Sequence, residues 1–265
     1  MLRFFLAWTI ALVPVLVLSP LVRAQTAPRQ QAEATENQKP APAPRHDISG
    51  IWDPGNDGIQ PLGPRAMPED GKPEHQIPYT PLGLETLNTH KPSNGTMSVL
   101  PSETNDPVVY CDPQGIPRED LYELRTTQIL QTPLSVYVLY EFDRIWRVIW
   151  TDGRDLPKDP EPRWFGYSVG KWEGDEFVVT TAGINDQVWN IDLAGHPHSD
   201  ALRVTERFKR VDFGHMDIQV TIDDAKTYTK PWAMPVMRYT FLPDTDLLEF
   251  VCEKNVDPQH MVGNK

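Results

Sequence analysis

The sequence predicts a mainly β protein, an antiparallel meander closing into a barrel or sandwich, and three observations predict it. In the C-terminal half, apolar and polar residues alternate over six stretches; the clearest places Met216, Ile218, Val220 and Ile222 on one parity and Asp217, Gln219 and Thr221 on the other, the pattern of a half-buried strand. Several of these stretches follow one another at hairpin distance between about Val136 and Cys252. Upstream, sixteen of the 27 prolines fall between Pro28 and Pro117, which forbids long helices and central strands there. The expected organisation is a proline-rich wrapping segment, 47–134, followed by barrel strands within 135–253, all in one domain, 47–265.

At the start of the chain, Arg3 precedes an apolar run from Phe4 to Val22, and Val22-Arg23-Ala24 offers a small-x-small cleavage site. Residues 1–24 therefore read as a signal peptide. The alternative is a retained membrane anchor, against which Pro14 and Pro20 interrupt the run. A periplasmic or secreted protein beginning at Gln25 is expected, with no stable membrane insertion after cleavage. Losing Arg3 and Arg23 makes the net charge of −12 two units more negative, so phosphate backbones repel the mature chain and nucleic acid is excluded as a partner. Residues 25–46 are Ala, Gln, Pro and Glu without apolar periodicity, the composition of a disordered linker.

Within the wrapping segment one short helix is expected from Pro81 to about Lys91, with Thr80 as N-cap and proline at the first helical position. A second begins at Pro117, with Glu119 and Asp120 in its first turn. The expected strands are Ser135–Phe142, Arg144–Trp150, Gly166–Trp172, Asp175–Thr181, Leu202–Val211, Met216–Ile222, Val236–Leu242 and Leu247–Cys252. Leu202–Val211 also fits a helical spacing; Val204 and Thr205 favour the strand. Tight hairpins are expected at Asp143, at Glu173-Gly174, and from Asp212 to His215 with Gly214 supplying a positive φ. Two cysteines in an exported chain, Cys111 and Cys252, favour a disulfide over two separate thiols.

Strand parity places charged residues among apolar ones: Glu206 with Leu202, Val204 and Phe208, Arg147 with Ile145 and Ile149, and Arg238 beside Val236. If those faces point inward, the cavity is charged and Arg147 or Glu206 orients a ligand; the alternative is a structural ion pair. Trp146, Trp150 and Trp164, in a third of the chain that also holds Trp172 and Trp189, suit an aromatic guest as well as core packing. Gly195-His196-Pro197-His198-Ser199-Asp200 offers two imidazoles and a carboxylate at alternate positions, fit for acid–base work, for metal ligation, or for ordinary turn and cap chemistry. No further ligand is identified, and neither metal nor cofactor is assigned. Asp152 and Arg154 sit at a strand end, where loops carry functional groups, although Asp-Gly is also a turn. No G-x-S-x-G, P-loop or G-x-G-x-x-G occurs, which disfavours serine hydrolases, kinases and dinucleotide enzymes.

Through Asp47-Ile-Ser-Gly-Ile-Trp52, Cys111-Asp-Pro-Gln-Gly-Ile-Pro-Arg118, Trp146-Arg-Val-Ile-Trp-Thr-Asp-Gly-Arg154, Gly195-His-Pro-His-Ser-Asp200 and Tyr228-Thr-Lys-Pro-Trp232, the chain resembles a family of functionally uncharacterised exported bacterial proteins. Gly50-Ile-Trp52 is also similar to the first-strand Gly-x-Trp of lipocalin-like barrels, which implies a ligand-holding barrel. Two functions follow as expectations. One is an exported barrel that binds a small apolar or aromatic molecule through Trp146, Trp150, Trp164, Arg147 and Glu206. The alternative is a cofactor-free hydrolase, lyase or isomerase in which His196 or His198 moves a proton, Asp200 or Asp152 orients it, and Arg154 steadies negative charge.

Overall fold

The structure is a computed structural model that describes residues 41–54, 66–92, 95–100, 102–121, 126–187, 190–250 and 252. The expected signal peptide, the linker as far as residue 40, and Trp189 lie outside the described residues.

Ten strands form one sheet: β1 Gly50–Asp53, β2 Thr127–Gln131, β3 Ser135–Tyr140, β4 Trp146–Trp150, β5 Tyr167–Glu173, β6 Glu176–Ala182, β7 Arg203–Arg210, β8 His215–Asp223, β9 Trp232–Ala233 and β10 Met237–Phe241. Strands β1 to β8 pair in sequence order, β8 pairs with β10, and β10 pairs with β1, so nine strands close into a barrel. Closure removes the free edges that an open sheet would expose. Strand β9 lies on the same edge of β8 as β10, paired at Thr221↔Ala233 and Ile222↔Trp232. The register shifts by one residue between β9 and β10, a bulge that contains Pro235, a residue with no N–H to offer the ladder.

The alternation in β8 has the expected consequence: Met216, Ile218, Val220 and Ile222 are fully buried. They meet Phe177 and Val179 of β6, Val204 and Phe208 of β7, and Met237 and Tyr239 of β10 in a filled interior. Gly170 of β5 belongs to this packing, since a Cβ there would stand 2.5 Å from the Phe177 ring and 2.8 Å from Ile149.

The wrapping segment departs from expectation in supplying two barrel strands, β1 and β2. Trp52 of β1 is fully buried, and its indole N–H donates to the Ile48 carbonyl at 3.0 Å. The end of the linker is also anchored: the Ala41 carbonyl accepts from the Phe213 N–H, and His46 donates to the Gly174 carbonyl while stacking on Trp172 at 4.6 Å. The Pro81 helix, α1, is capped by the Thr80 hydroxyl as expected but ends at Leu87; the segment after Pro117 is only a 3-10 turn, Arg118–Leu121.

Three further expectations are corrected. Residues 247–250 form no strand, because β10 already has partners on both edges; they lie over the β3–β4 turn, with Arg144 bridging Glu249 at 2.7 Å and Phe142 stacked on Phe250. Gly214 has no positive φ. The turn is held instead by Asp212, whose carboxylate accepts from Gly214 N–H at 2.8 Å. Arg238 faces outward and forks onto Asp217, its register partner on β8.

Cys111 and Cys252 form the disulfide, closing a loop of 141 residues. The bond ties the last described residue to the wrapping segment, across the barrel strands that lie between them in sequence. Restricting so long a loop in the unfolded chain gives an upper figure of about 5 kcal/mol. Reduction is therefore expected to lower the melting temperature markedly, measured by circular dichroism with and without a thiol reductant. Equal melting curves would mean that the bridge constrains nothing that unfolding releases.

Candidate functional site

The barrel wall is thinly paired at two seams, β1–β10 and β4–β5, each with two register pairs. Strands β4 and β5 are the parallel neighbours among the described strands, and their pairs are Ile149↔Ser168 and Trp150↔Val169. Parallel neighbours need a crossover, here residues 151–166, and where its return diverges from β4 the wall parts. A cavity of about 640 Å³ occupies the gap, lined by Trp146, Arg147 and Trp150 on one side and by Arg163, Trp164, Tyr167, Asn185 and Gln187 on the other. That volume lies within the range of small-molecule sites. Cations cover two of its rings: the Arg154 guanidinium stands 3.8 Å from the Trp150 centroid, and that of Arg163 4.1 Å from the Tyr167 centroid. Trp146 is 59% exposed, a large apolar surface left in water beside the opening.

Behind this cleft lies a buried polar centre. Arg147 reaches Glu206 with both terminal nitrogens, Nη1 to Oε2 at 3.0 Å and Nη2 to Oε1 at 2.6 Å, and both side chains are almost wholly enclosed. The 3-10 turn at 118–121 inserts Asp120 beside them. Its Oδ1 accepts from the Tyr140 hydroxyl at 2.9 Å, and its backbone carbonyl accepts from the Tyr239 hydroxyl at 2.6 Å. Burial, then the negative charge of Glu206, pushes the Asp120 carboxyl well above its ordinary value. Glu206, bound to Arg147, can only accept, so Oδ2 of Asp120 finds its partner there when it carries a proton. Burial opposes the charge on Arg147, but the Glu206 carboxylate beside it outweighs burial and holds the guanidinium ionised. The fork is thus an internal ion pair in a filled barrel, the structural alternative weighed for these two residues, with the cleft reaching the Arg147 side of it.

The loop 190–200 is built around Asp192, which sequence reasoning missed. This fully buried carboxylate accepts from the backbone N–H groups of Ala66, Ala194 and His196 at 2.7, 3.1 and 3.1 Å, and from His196 Nδ1 at 2.5 Å. Burial alone would raise its pKa; the charge and hydrogen bond of His196, with those backbone donors, reverse this and hold it below the ordinary carboxylate value. Gly195, at φ +85°, turns the chain so that His196 folds back on Asp192, and its carbonyl accepts from His90 at 2.6 Å. Beneath it, Arg118 forks onto Asp106 at 2.9 and 2.8 Å and donates to the Asn190 side chain at 2.7 Å, all three buried. Such desolvated polar architecture holds a loop in one conformation.

Of the candidate residues, Trp146, Arg147, Trp150 and Trp164 share the cleft, and Glu206 stands behind it on Arg147. Asp152 and Arg154 fork onto each other at the exposed end of β4. His196 lines a different cavity, of about 370 Å³. His198 is buried and donates through Nδ1 to the Ser199 carbonyl at 3.0 Å. Asp200 points into solvent and pairs with Lys226, so the expected His–Asp200 partnership gives way to His196–Asp192. Alternation in an extended loop had placed His196, His198 and Asp200 on one side; the turn at Gly195 and the bridge Asn190↔Pro197 break that alternation. An i, i+4 carboxylate before a Gly-His pair was the available signal for Asp192. Among the described residues no three His, Cys, Asp or Glu side chains converge as metal ligands, and no helix is long and apolar enough to cross a membrane. Comparison with protein-family models, with curated proteins and with solved structures gives no match.

Proposed function

We propose that the protein is an exported barrel that captures a small aromatic or apolar molecule in the cleft between β4 and β5. One observation carries this reading: three tryptophans and Tyr167, two of these four rings covered by arginines, surround the opening of a barrel whose interior is otherwise filled. The leader-like N-terminus and the disulfide support export. A planar guest inserts between Trp150 and Trp164, covers the exposed face of Trp146, and turns any polar atom toward Arg163, Asn185 or Gln187.

Calorimetric titration with 1-naphthol tests this. The parent protein is expected to bind it, and Trp150→Ala and Trp164→Ala are each expected to weaken binding roughly two- to tenfold, as an aromatic pair of about 0.5–1.5 kcal/mol implies. An equal response to cyclohexanol would make the site generally apolar rather than aromatic. No heat with either compound would end the reading.

A further inference from the structure

The cavity of about 370 Å³ shares no lining residue with the aromatic cleft, and it brings together two imidazoles from distant parts of the chain, His75 and His196. Each is held in the same way. His75 Nδ1 meets Asp70 Oδ1 at 2.8 Å, and His196 Nδ1 meets Asp192 Oδ2 at 2.5 Å. A carboxylate can only accept, so both Nδ1 atoms carry the proton and Nε2 is the nitrogen through which each ring exchanges one. Both carboxylates are themselves fixed: Asp70 by the backbone and ammonium of Lys72, Asp192 by three backbone N–H groups.

We infer that this cavity is a hydrolytic site for an uncharged ester, in which His196 is the general base and His75 the general acid. The substrate class follows from the walls. Met67, Ile77, Leu87 and Met97 are apolar, while the charges present are already paired or bonded, Lys72 with Asp70 and Glu69 with Thr96. A charged substrate would find no opposite charge to replace its water. No serine or cysteine lines the cavity, and the Thr96 hydroxyl donates to Glu69 and not to His196, so the nucleophile that His196 serves is water. His196, the more enclosed ring at 10% side-chain exposure, takes a proton from water as its oxygen bonds to the ester carbonyl carbon. The carbon–oxygen bond to the leaving group then breaks, and His75 gives its Nε2 proton to the departing oxygen. With its side chain 25% exposed, His75 recovers that proton from solvent while His196 releases the one it took, so water and ester become acid and alcohol with no other reactant. Asp192 and Asp70 are positioning residues. The other titratable groups facing the pair are Glu69, Lys72 and Tyr79 in the wall and, across Gly195, His90.

Two esters with the same acyl group separate the roles in the full chain, followed by proton release at fixed pH. Ethyl butyrate has a poor leaving group that needs an acid; p-nitrophenyl butyrate has a good one that does not. His196→Ala is expected to lose about 10²–10⁴ in kcat on both, whereas His75→Ala loses that much on ethyl butyrate and little on p-nitrophenyl butyrate. Asp192→Asn is expected to lower kcat with KM nearly unchanged and to alter the pH profile, because an amide orients the other tautomer. His75 is at the surface, so its variant reports even if a change at the buried Asp192 prevents folding. The inference is overturned if the parent hydrolyses neither ester faster than the His75→Ala/His196→Ala double variant, or if His75→Ala slows both esters alike.

Discussion

Glu206→Ala is expected to destabilise the protein by about 3–5 kcal/mol, seen as a large drop in the urea midpoint, because it leaves the Arg147 guanidinium enclosed without its counter-charge. Glu206 and Arg147 have 0% and 2% side-chain exposure, so water cannot replace the lost partner. The cost of breaking the pair does not mean that the pair stabilises the fold by that amount. Desolvating two charges opposes their attraction, and removing both together as Arg147→Met/Glu206→Leu is expected to be near neutral or stabilising. If Glu206→Ala unfolds within about 1 kcal/mol of the parent, the scale of an exposed ion pair, then Arg147 reaches solvent through the cleft and the centre is wetter than its burial implies.

The same residues show where sequence reasoning succeeds and where it stops. Strand β8 was legible because one parity is apolar and the other polar, and in β7 the charge of Glu206 stood out between Val204 and Phe208. Its attachment to Arg147, 59 residues away, depends on how the barrel closes, which local alternation does not encode. Strand β1 is hidden because it lies in the proline-dense stretch, although no proline falls within Gly50–Asp53 itself; β2, Thr127–Gln131, lies beyond Pro117 and is too short for alternation alone to mark it. Leu247–Cys252 is apolar enough for a buried strand, yet pairing requires a free edge, and closure of the ring had used the edges of β10. The aromatic cluster could be read because Trp146 and Trp150, at the two ends of β4, share a parity. The partner of His196 could not, because Gly195 bends the loop through a conformation that an extended reading omits.

Asp120→Asn is expected to remove one component of the pH dependence of stability and to leave the variant more stable than the parent at neutral and alkaline pH. In the folded protein the Asp120 carboxyl is pushed well above its ordinary value, first by burial and then by Glu206, whereas in the unfolded chain it ionises near pH 4. Above that pH the folded state holds a proton that the unfolded state has released, so stability falls as pH rises, by about 1.4 kcal/mol per pH unit, until the buried carboxyl ionises as well. Below pH 4 both states are protonated and the component is fully present. Asparagine keeps an oxygen to accept from Tyr140 and offers an N–H to Glu206, with no proton to lose. The opposite contribution, from Asp192, whose lowered pKa favours folding above pH 4 and is lost as pH falls, is common to both proteins and cancels in the comparison. Urea midpoints from pH 4 to 9 for parent and variant give the difference directly. A difference that does not grow with pH would show that Asp120 is ionised throughout, and that Glu206 and Asp120 share Arg147 as two carboxylates and not as an acid and its base.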